Sequence, residues 1–254
     1  QLFALFNNLD EKGFINNLRG AAEPKIRYRQ GSYDRAIAEI EKQFTDADQR
    51  KEAVGRIAVS FPEVMIMQEM PNPRTTHVLT RGLYDKPADQ VAPALPAIFG
   101  TPEPQTQVTR LTLANWLTRP DHPLTARVFV NRIWAQMFGR GIVNSTENIG
   151  LQADWPSHQR LLDWLSVEFI KQGWDVKWLV KFIATSATYQ QSSRTTQQSH
   201  ALDPDNVWLS RGPRVRLSAE MIRDQALAVS GLLHQHVGGP SVNPYQPAGL
   251  WEEI

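Results

Sequence analysis

The sequence predicts a mostly α protein: a helical bundle-like domain with one small β-hairpin and a proline-rich extended connector. Three observations predict it. Apolar residues recur at helical spacing through most of residues 108–234, in stretches opened by Asp or Ser and closed by Gly. Two short β-prone runs, "EVMIMQEM" and "TTHVLTRG", flank "PNPR". Five prolines (Pro87, Pro93, Pro96, Pro102 and Pro104) crowd residues 84–105, which disfavours a helix or a central strand there.

Taken in order, residues 1–30 read as the tail of a preceding domain, around "FNNLDEKGF", followed by a polar linker. Residues 31–105 hold a helix over 34–44, with Ile37, Ile40 and Phe44 on one face, then the hairpin of 63–70 against 75–82, then the connector. Residues 106–254 form the main helical domain, with helices expected over 108–117, 121–139, 156–173, 175–190 and 218–234. Asp121 and Ser157 are expected as N-caps, and Gly139 and Gly173 as left-handed stops. The polar stretch 191–200 reads as a mobile loop. In the last helix Met221, Ile222, Val229 and Leu233 are expected to point inward. The chain opens without methionine and stops in mid-phrase at Ile254, so the domain is expected to be truncated C-terminally.

Composition narrows the function classes. With 254 residues, 41% hydrophobic and 21% charged, the chain has enough apolar material for a core. A net charge of +1 gives no reason to expect nucleic acid as the main partner. Without cysteine there is no disulfide, thiolate metal site or covalent haem attachment. No apolar run is long enough for a membrane span. Phosphate-loop, zinc-protease and dinucleotide fingerprints are absent, and Ser186 lacks a nucleophile elbow. The sequence names no reaction.

"NRIWAQMFGRGIV", residues 131–143, poses the main question, because an amide and guanidinium groups sit among large apolar residues. On the 121–139 helix Val130, Ile133, Trp134, Met137 and Phe138 form a broad apolar side, which suits a central position. Arg127 and Asn131 are four apart and share a face, and Arg132 lies about 100° further round. Buried guanidinium groups need acids, and Asp163, Glu168, Glu220 and Asp224 lie on other helices. Two readings remain open: a network tying helices together, or donors facing a ligand.

Arg127, Asn131, His158, Glu220 and Asp224 would be the catalytic groups if they converge. Glu220 and Asp224, four apart, could do acid–base work or hold arginines. Arg74, His77 and Arg81 put cations on or beside the hairpin, as an anion site or a protected edge; in a strand His77 and Arg81 would share a face. Trp155 and Trp208, in expected loops, could stack on a sugar. His234 and His236 lack a third ligand, so no metal site is expected.

A series of phrases in fixed order carries a resemblance: "LTLANWLTRPDHPLTARVFVNRIWAQMFGRGIV", "PSHQRLLDWLSVEFIKQGWDVKWLVKFIATSATYQQSS", "DPDNVWLSRGPRVRLSAEMIRDQALAVSGLL" and "GGPSV", with "PRTTHVLTRGLYDKPADQVAPALPAIFG" upstream. The chain resembles, over nearly its whole length, a domain of unknown function abundant in planctomycete bacteria. The resemblance implies a large exported, extracytoplasmic protein in which a cytochrome-c-like domain precedes this one. Haem would then lie in that separate domain, with no cofactor in this segment. It implies no catalytic residues. The chain departs from it at His122, where asparagine is expected, and at "LQADWPSHQR", where a glycine-containing turn is usual. Two functions follow as expectations. One is a helical module that docks onto other domains of the same polypeptide, such as the cytochrome-c-like one, and binds a glycan or other polyhydroxylated ligand. The alternative is a hydrolase or redox-coupled enzyme of polysaccharide catabolism.

Overall fold

The computed structural model describes residues 1–10, 23–100 and 108–236. Most of the expected linker, Pro102 and Pro104 of the connector, and "GGPSV" lie outside them. The described residues hold ten helices and two small two-stranded antiparallel sheets, so the protein is mostly α. Contacts divide the chain into two units, Gln1–Ala126 and Arg127–Ile254.

In the first unit, α1 (Leu2–Phe6) buries Leu5 in a small core with Leu95 and Trp116. β1 (Lys25–Arg27) pairs antiparallel with β2 (Glu63–Met65). Both Lys25 and Arg27 reach the Glu63 carboxylate at 2.8 Å, which favours this register. Between the strands run α2 (Gln30–Gln43) and α3 (Ala47–Ala58), packed on each other. The sequence reading missed α3 because it buries only Ala53. Its signal was Asp46, whose carboxylate accepts the N–H groups of Asp48 and Gln49.

The hairpin forms one strand later than expected. β3 (Thr76–Leu79) pairs with β4 (Pro87–Val91), not with the 63–70 run, which β1 has claimed. β4 lies inside the stretch read as a connector. Pro87 opens the strand, where its missing N–H is tolerated. The chain reverses through Arg81 and Gly82, both at positive φ (53° and 76°).

α4 (Arg110–Leu117) starts at Thr109, in a reciprocal capping box with Thr112. The next helix, α5 (Thr125–Phe138), does not start at Asp121. His122 takes the capping role instead. Its Nδ1 accepts the backbone N–H groups of Leu124 and Thr125, each at 3.3 Å, and lies 2.9 Å from the Thr125 hydroxyl. Nδ1 stands the same number of bonds from Cα as an asparagine Oδ1, so the histidine substitutes for the asparagine expected there.

In the second unit α5 ends on Gly139, at φ 80°. α6 (Gln159–Lys171) and α7 (Val176–Ala184) follow, separated by Gly173 at φ 67°. The core joins Val130 and Trp134 of α5, Ile142 and Val143 beyond it, Leu162, Leu165 and Phe169 of α6, and Leu179 and Ile183 of α7. The rings of Phe129 and Phe169 stack at 5.2 Å, and those of Trp134 and Phe138 at 4.1 Å. Ser157 is not the cap of α6. Its hydroxyl donates to the Ile142 carbonyl, and His158 is the boundary residue.

The expected helix over 175–190 breaks at Thr185, because the Ser186 hydroxyl caps a separate turn, α8 (Ala187–Gln190). Part of the expected loop is helical: α9 (Gln197–Leu202) is capped by Thr196 and Ser199. α10 (Ala219–Val229), capped by Ser218, buries no residue. Met221, Ile222, Val229 and Leu233 are exposed and not inward. Apolar spacing selects a face of a helix but not a partner for it.

Candidate functional site

The opening question resolves on α5. Asn131 is fully buried, and its carboxamide pairs with one residue in both directions: Nδ2 donates to the Val143 carbonyl and Oδ1 accepts the Val143 N–H, each at 2.9 Å. All the hydrogen-bonding capacity used here is structural. Gly141 makes the approach possible, since a Cβ there would stand 2.3 Å from the Val143 carbonyl oxygen and 2.9 Å from the Asn131 Nδ2. Arg127 pairs with Asp163 of α6 at 2.7 Å. Arg132 is exposed and makes no ion pair among the described residues.

What the chain builds beyond Gly139 is a cleft. Two cavities of ≈ 470 Å³ and ≈ 440 Å³ share Phe138, Asp205 and Arg214 as walls. The first adds Thr195, His200, Asn206 and Arg211; the second adds Arg140, Asn144 and Arg216. A third, water-sized space of ≈ 20 Å³ lies among Trp134, Arg140, Ser157, His158 and Asp205.

The turn after α9 shapes one wall. The buried Asp203 carboxylate accepts the N–H groups of Val207 (2.8 Å) and Trp208 (2.9 Å). The Asn206 Nδ2 donates to the Arg211 carbonyl at 2.8 Å, and Asn206 and Leu209 both hold positive φ (53° and 55°). Arg211 closes the turn by donating to the carbonyls of Asp203 (2.9 Å) and Pro204 (2.7 Å). This tightly bonded turn carries Trp208, which is 70% exposed and meets His158 edge to face at 6.4 Å between ring centres.

Trp208 lines none of the three cavities, and of the other candidates only His158 lines one. Trp155 is 88% exposed just before α6. Glu220 and Asp224 are exposed on α10. Its own backbone N–H and the Ser218 hydroxyl hold the Glu220 carboxyl below the usual range, which favours the ionised form over a proton donor. Arg127, Asn131, Glu220 and Asp224 line none of the three cavities, and His158 lines only the smallest. In the first unit, His77 Nδ1 sits 2.9 Å from the Ala88 carbonyl across the hairpin. Arg74 and Arg81 are exposed. Arg81 falls beyond the end of β3, so strand alternation does not place it beside His77. Among the described residues no three His, Asp or Glu side chains gather as a metal site.

Sequence reasoning missed Asp203, Asp205, Asn206 and Arg140 as builders of the cleft. A readable signal existed in "DPDN", a turn-forming run, set before the arginines of "SRGPRVR".

A family model described as a protein of unknown function (PSD1, DUF1553) matches residues 109–253, more than half of the chain. No curated protein and no solved structure matches the chain.

Proposed function

The chain belongs to the PSD1 (DUF1553) family of proteins of unknown function, and we propose that it acts as a binding module for a glycan or similarly polyhydroxylated ligand. Trp208 carries the reading. A large ring left 70% exposed gives up the burial that usually holds tryptophan in place. Yet its backbone is pinned by the Asp203 carboxylate, and its ring is braced by His158. Rigid presentation of an exposed aromatic face is the arrangement that stacking on a sugar needs, and Asn206 of the same turn lines the larger cavity although Trp208 itself lines none of the three. Asn144, Asp205, Asn206 and Thr195 supply hydroxyl partners along the walls.

Separation of Arg127, Asn131, Glu220 and Asp224 from the cleft favours binding over the hydrolase or redox alternative. The exposed apolar residues of α10 support the second half of the reading, docking onto another domain of an exported polypeptide. A cytochrome-c-like domain with its own haem, as the resemblance implies, is the partner to test.

Calorimetric titration with defined neutral and anionic tetrasaccharides tests ligand binding. Trp208→Ala is expected to weaken any saccharide bound by about tenfold or more, the order of one aromatic stacking contact. Failure of every saccharide to bind, or binding indifferent to Trp208→Ala, would overturn the proposal.

A further inference from the structure

The walls of the cleft carry a charge pattern that stacking on a neutral sugar does not require. Arg140, Arg211, Arg214 and Arg216 line the two larger cavities, and Asp205 is the one acid among their lining residues. Arg140 lies 3.5 Å from Asp205, and Arg211 is held by backbone carbonyls that bear no formal charge. Arg214 and Arg216 are exposed and have no hydrogen-bond or ion-pair partner among the described residues. Gathering four guanidinium groups against one carboxylate leaves a local excess of positive charge that an anion would neutralise.

The segment bearing these arginines is clamped at two points. A Cβ on Gly212 would stand 2.3 Å from the Gln191 carbonyl oxygen, and the Gly212 N–H donates to the Ser192 carbonyl at 2.9 Å. A Cβ on Gly139 would stand 2.9 Å from a Val215 methyl group. The Gly212 backbone therefore packs closely against residues 191–192, and the Val215 side chain against the end of α5. Arg214 and Arg216 thus flank Val215, whose methyl group packs against Gly139.

We infer that the cleft selects anionic saccharides, with Arg214 and Arg216 binding the sulfate ester or carboxylate of a ligand long enough to reach Trp208, which stands on the Asp203–Arg211 turn outside the cavity linings. This rests on the glycan-binding reading above and adds the charge class of the ligand. Guanidinium groups pair with either anion through parallel N–H donors.

The test titrates the whole chain with a neutral, a uronate-containing and a sulfated tetrasaccharide, and with a short single-stranded DNA. At least one anionic tetrasaccharide is expected to bind about tenfold or more tightly than the neutral one, the order of a charge-assisted contact. Whichever of the two binds more tightly distinguishes a sulfate ester from a carboxylate as the preferred anion. That advantage should shrink between about 50 mM and about 200 mM salt and vanish in Arg214→Ala and Arg214→Glu. Affinity for the neutral tetrasaccharide should survive both changes, and Lys177→Ala on α7 should change neither affinity. Circular dichroism melts matching the parent chain establish that the variants are folded, and Arg216→Ala provides a second exposed position. Equal, Trp208-dependent binding of neutral and anionic saccharides would overturn this inference and leave the binding module intact. Binding of DNA as tightly as the better anionic saccharide would overturn the selectivity for saccharides. No binding of any saccharide would remove both readings.

Discussion

The Asn131 carboxamide and the Val143 peptide group form a two-bond pair inside the core, so that a side chain does the work of a β-strand neighbour. The pair closes a twelve-residue excursion that leaves α5, turns at Gly139 and comes back past Gly141. Both partners are almost wholly out of solvent, so neither Val143 group has water to fall back on.

Asn131→Ala is therefore expected to destabilise the chain by about 3 kcal/mol, the order of two backbone groups left unsatisfied in a buried site. Asn131→Leu restores volume but not the hydrogen bonds and should lose a similar amount. Gly141→Ala pushes the same groups apart, so its effect and that of Asn131→Ala should sum to more than the double variant loses. Urea unfolding of the four proteins checks this; strict additivity would mean that Gly141 does not act through the pair.

The ion pair on the same helix should matter much less. Arg127 and Asp163 meet at 2.7 Å, but their side chains are 37% and 39% exposed, and solvent screens such a pair. Asp163→Asn is expected to change stability by about 0.5–1 kcal/mol. A loss several times larger in the same urea series would place the pair among the main supports of the bundle.

His122 makes stability depend on pH. Burial, then the nearby Arg119, lower its pKa below the ordinary 6.5, against a smaller opposing pull from Asp121. Nδ1 faces two N–H donors, and Nε2 has no hydrogen-bond partner, so the neutral ring suits the site. Below pH 6.5 the unfolded chain takes up the proton more readily than the folded one. The contribution of His122 is thus whole above pH 6.5 and is lost as pH falls from there toward the folded value. His122→Asn should keep the cap and reduce this loss. Melting temperatures of both proteins at pH 8 and pH 5 test it, with a wider gap expected for the parent. Equal gaps would show that His122 does not titrate with folding.

Asp203 separates the architecture of the turn from the ring it displays. Asp203→Ala removes two charge-assisted bonds from a buried carboxylate and should lower stability by about 3 kcal/mol. It should also weaken saccharide binding with Trp208 still present, because the ring loses its fixed orientation. Asp203→Asn keeps one acceptor oxygen and should fall between. Undiminished affinity in a folded Asp203→Ala would mean that the pinned turn does not serve binding.

Much of the helical layout was legible because its signals are local. Gly139, Gly173, Asp175 and Ser218 act on groups within a few residues, and each occupies the helix end that such residues favour. Spacing put Leu162, Leu165 and Phe169 of α6 on one face, and they are buried. On α7 the same spacing groups Val176 and Val180 with Leu179 and Ile183, but only Leu179 and Ile183 are buried. Strand partners were not legible, because a β-prone run states no preference among distant runs: Glu63 went to Lys25 and Arg27, leaving His77 to pair with Gln90. The cleft was illegible for the same reason. Arg140 and Arg214 are separated by four helices in the chain and share a wall only after those helices pack.

From its residues alone this protein was bound to be mostly helical, cysteine-free and stopped at glycines, because hydrogen-bond capping and apolar spacing act over single turns of chain. Only the tertiary structure decided that Asn131 would turn inward to Val143, that α10 would keep its apolar residues in solvent, and that four arginines and one aspartate would line two adjoining cavities. Those outcomes depend on which distant surfaces close on one another, and short-range preferences carry no information about that choice.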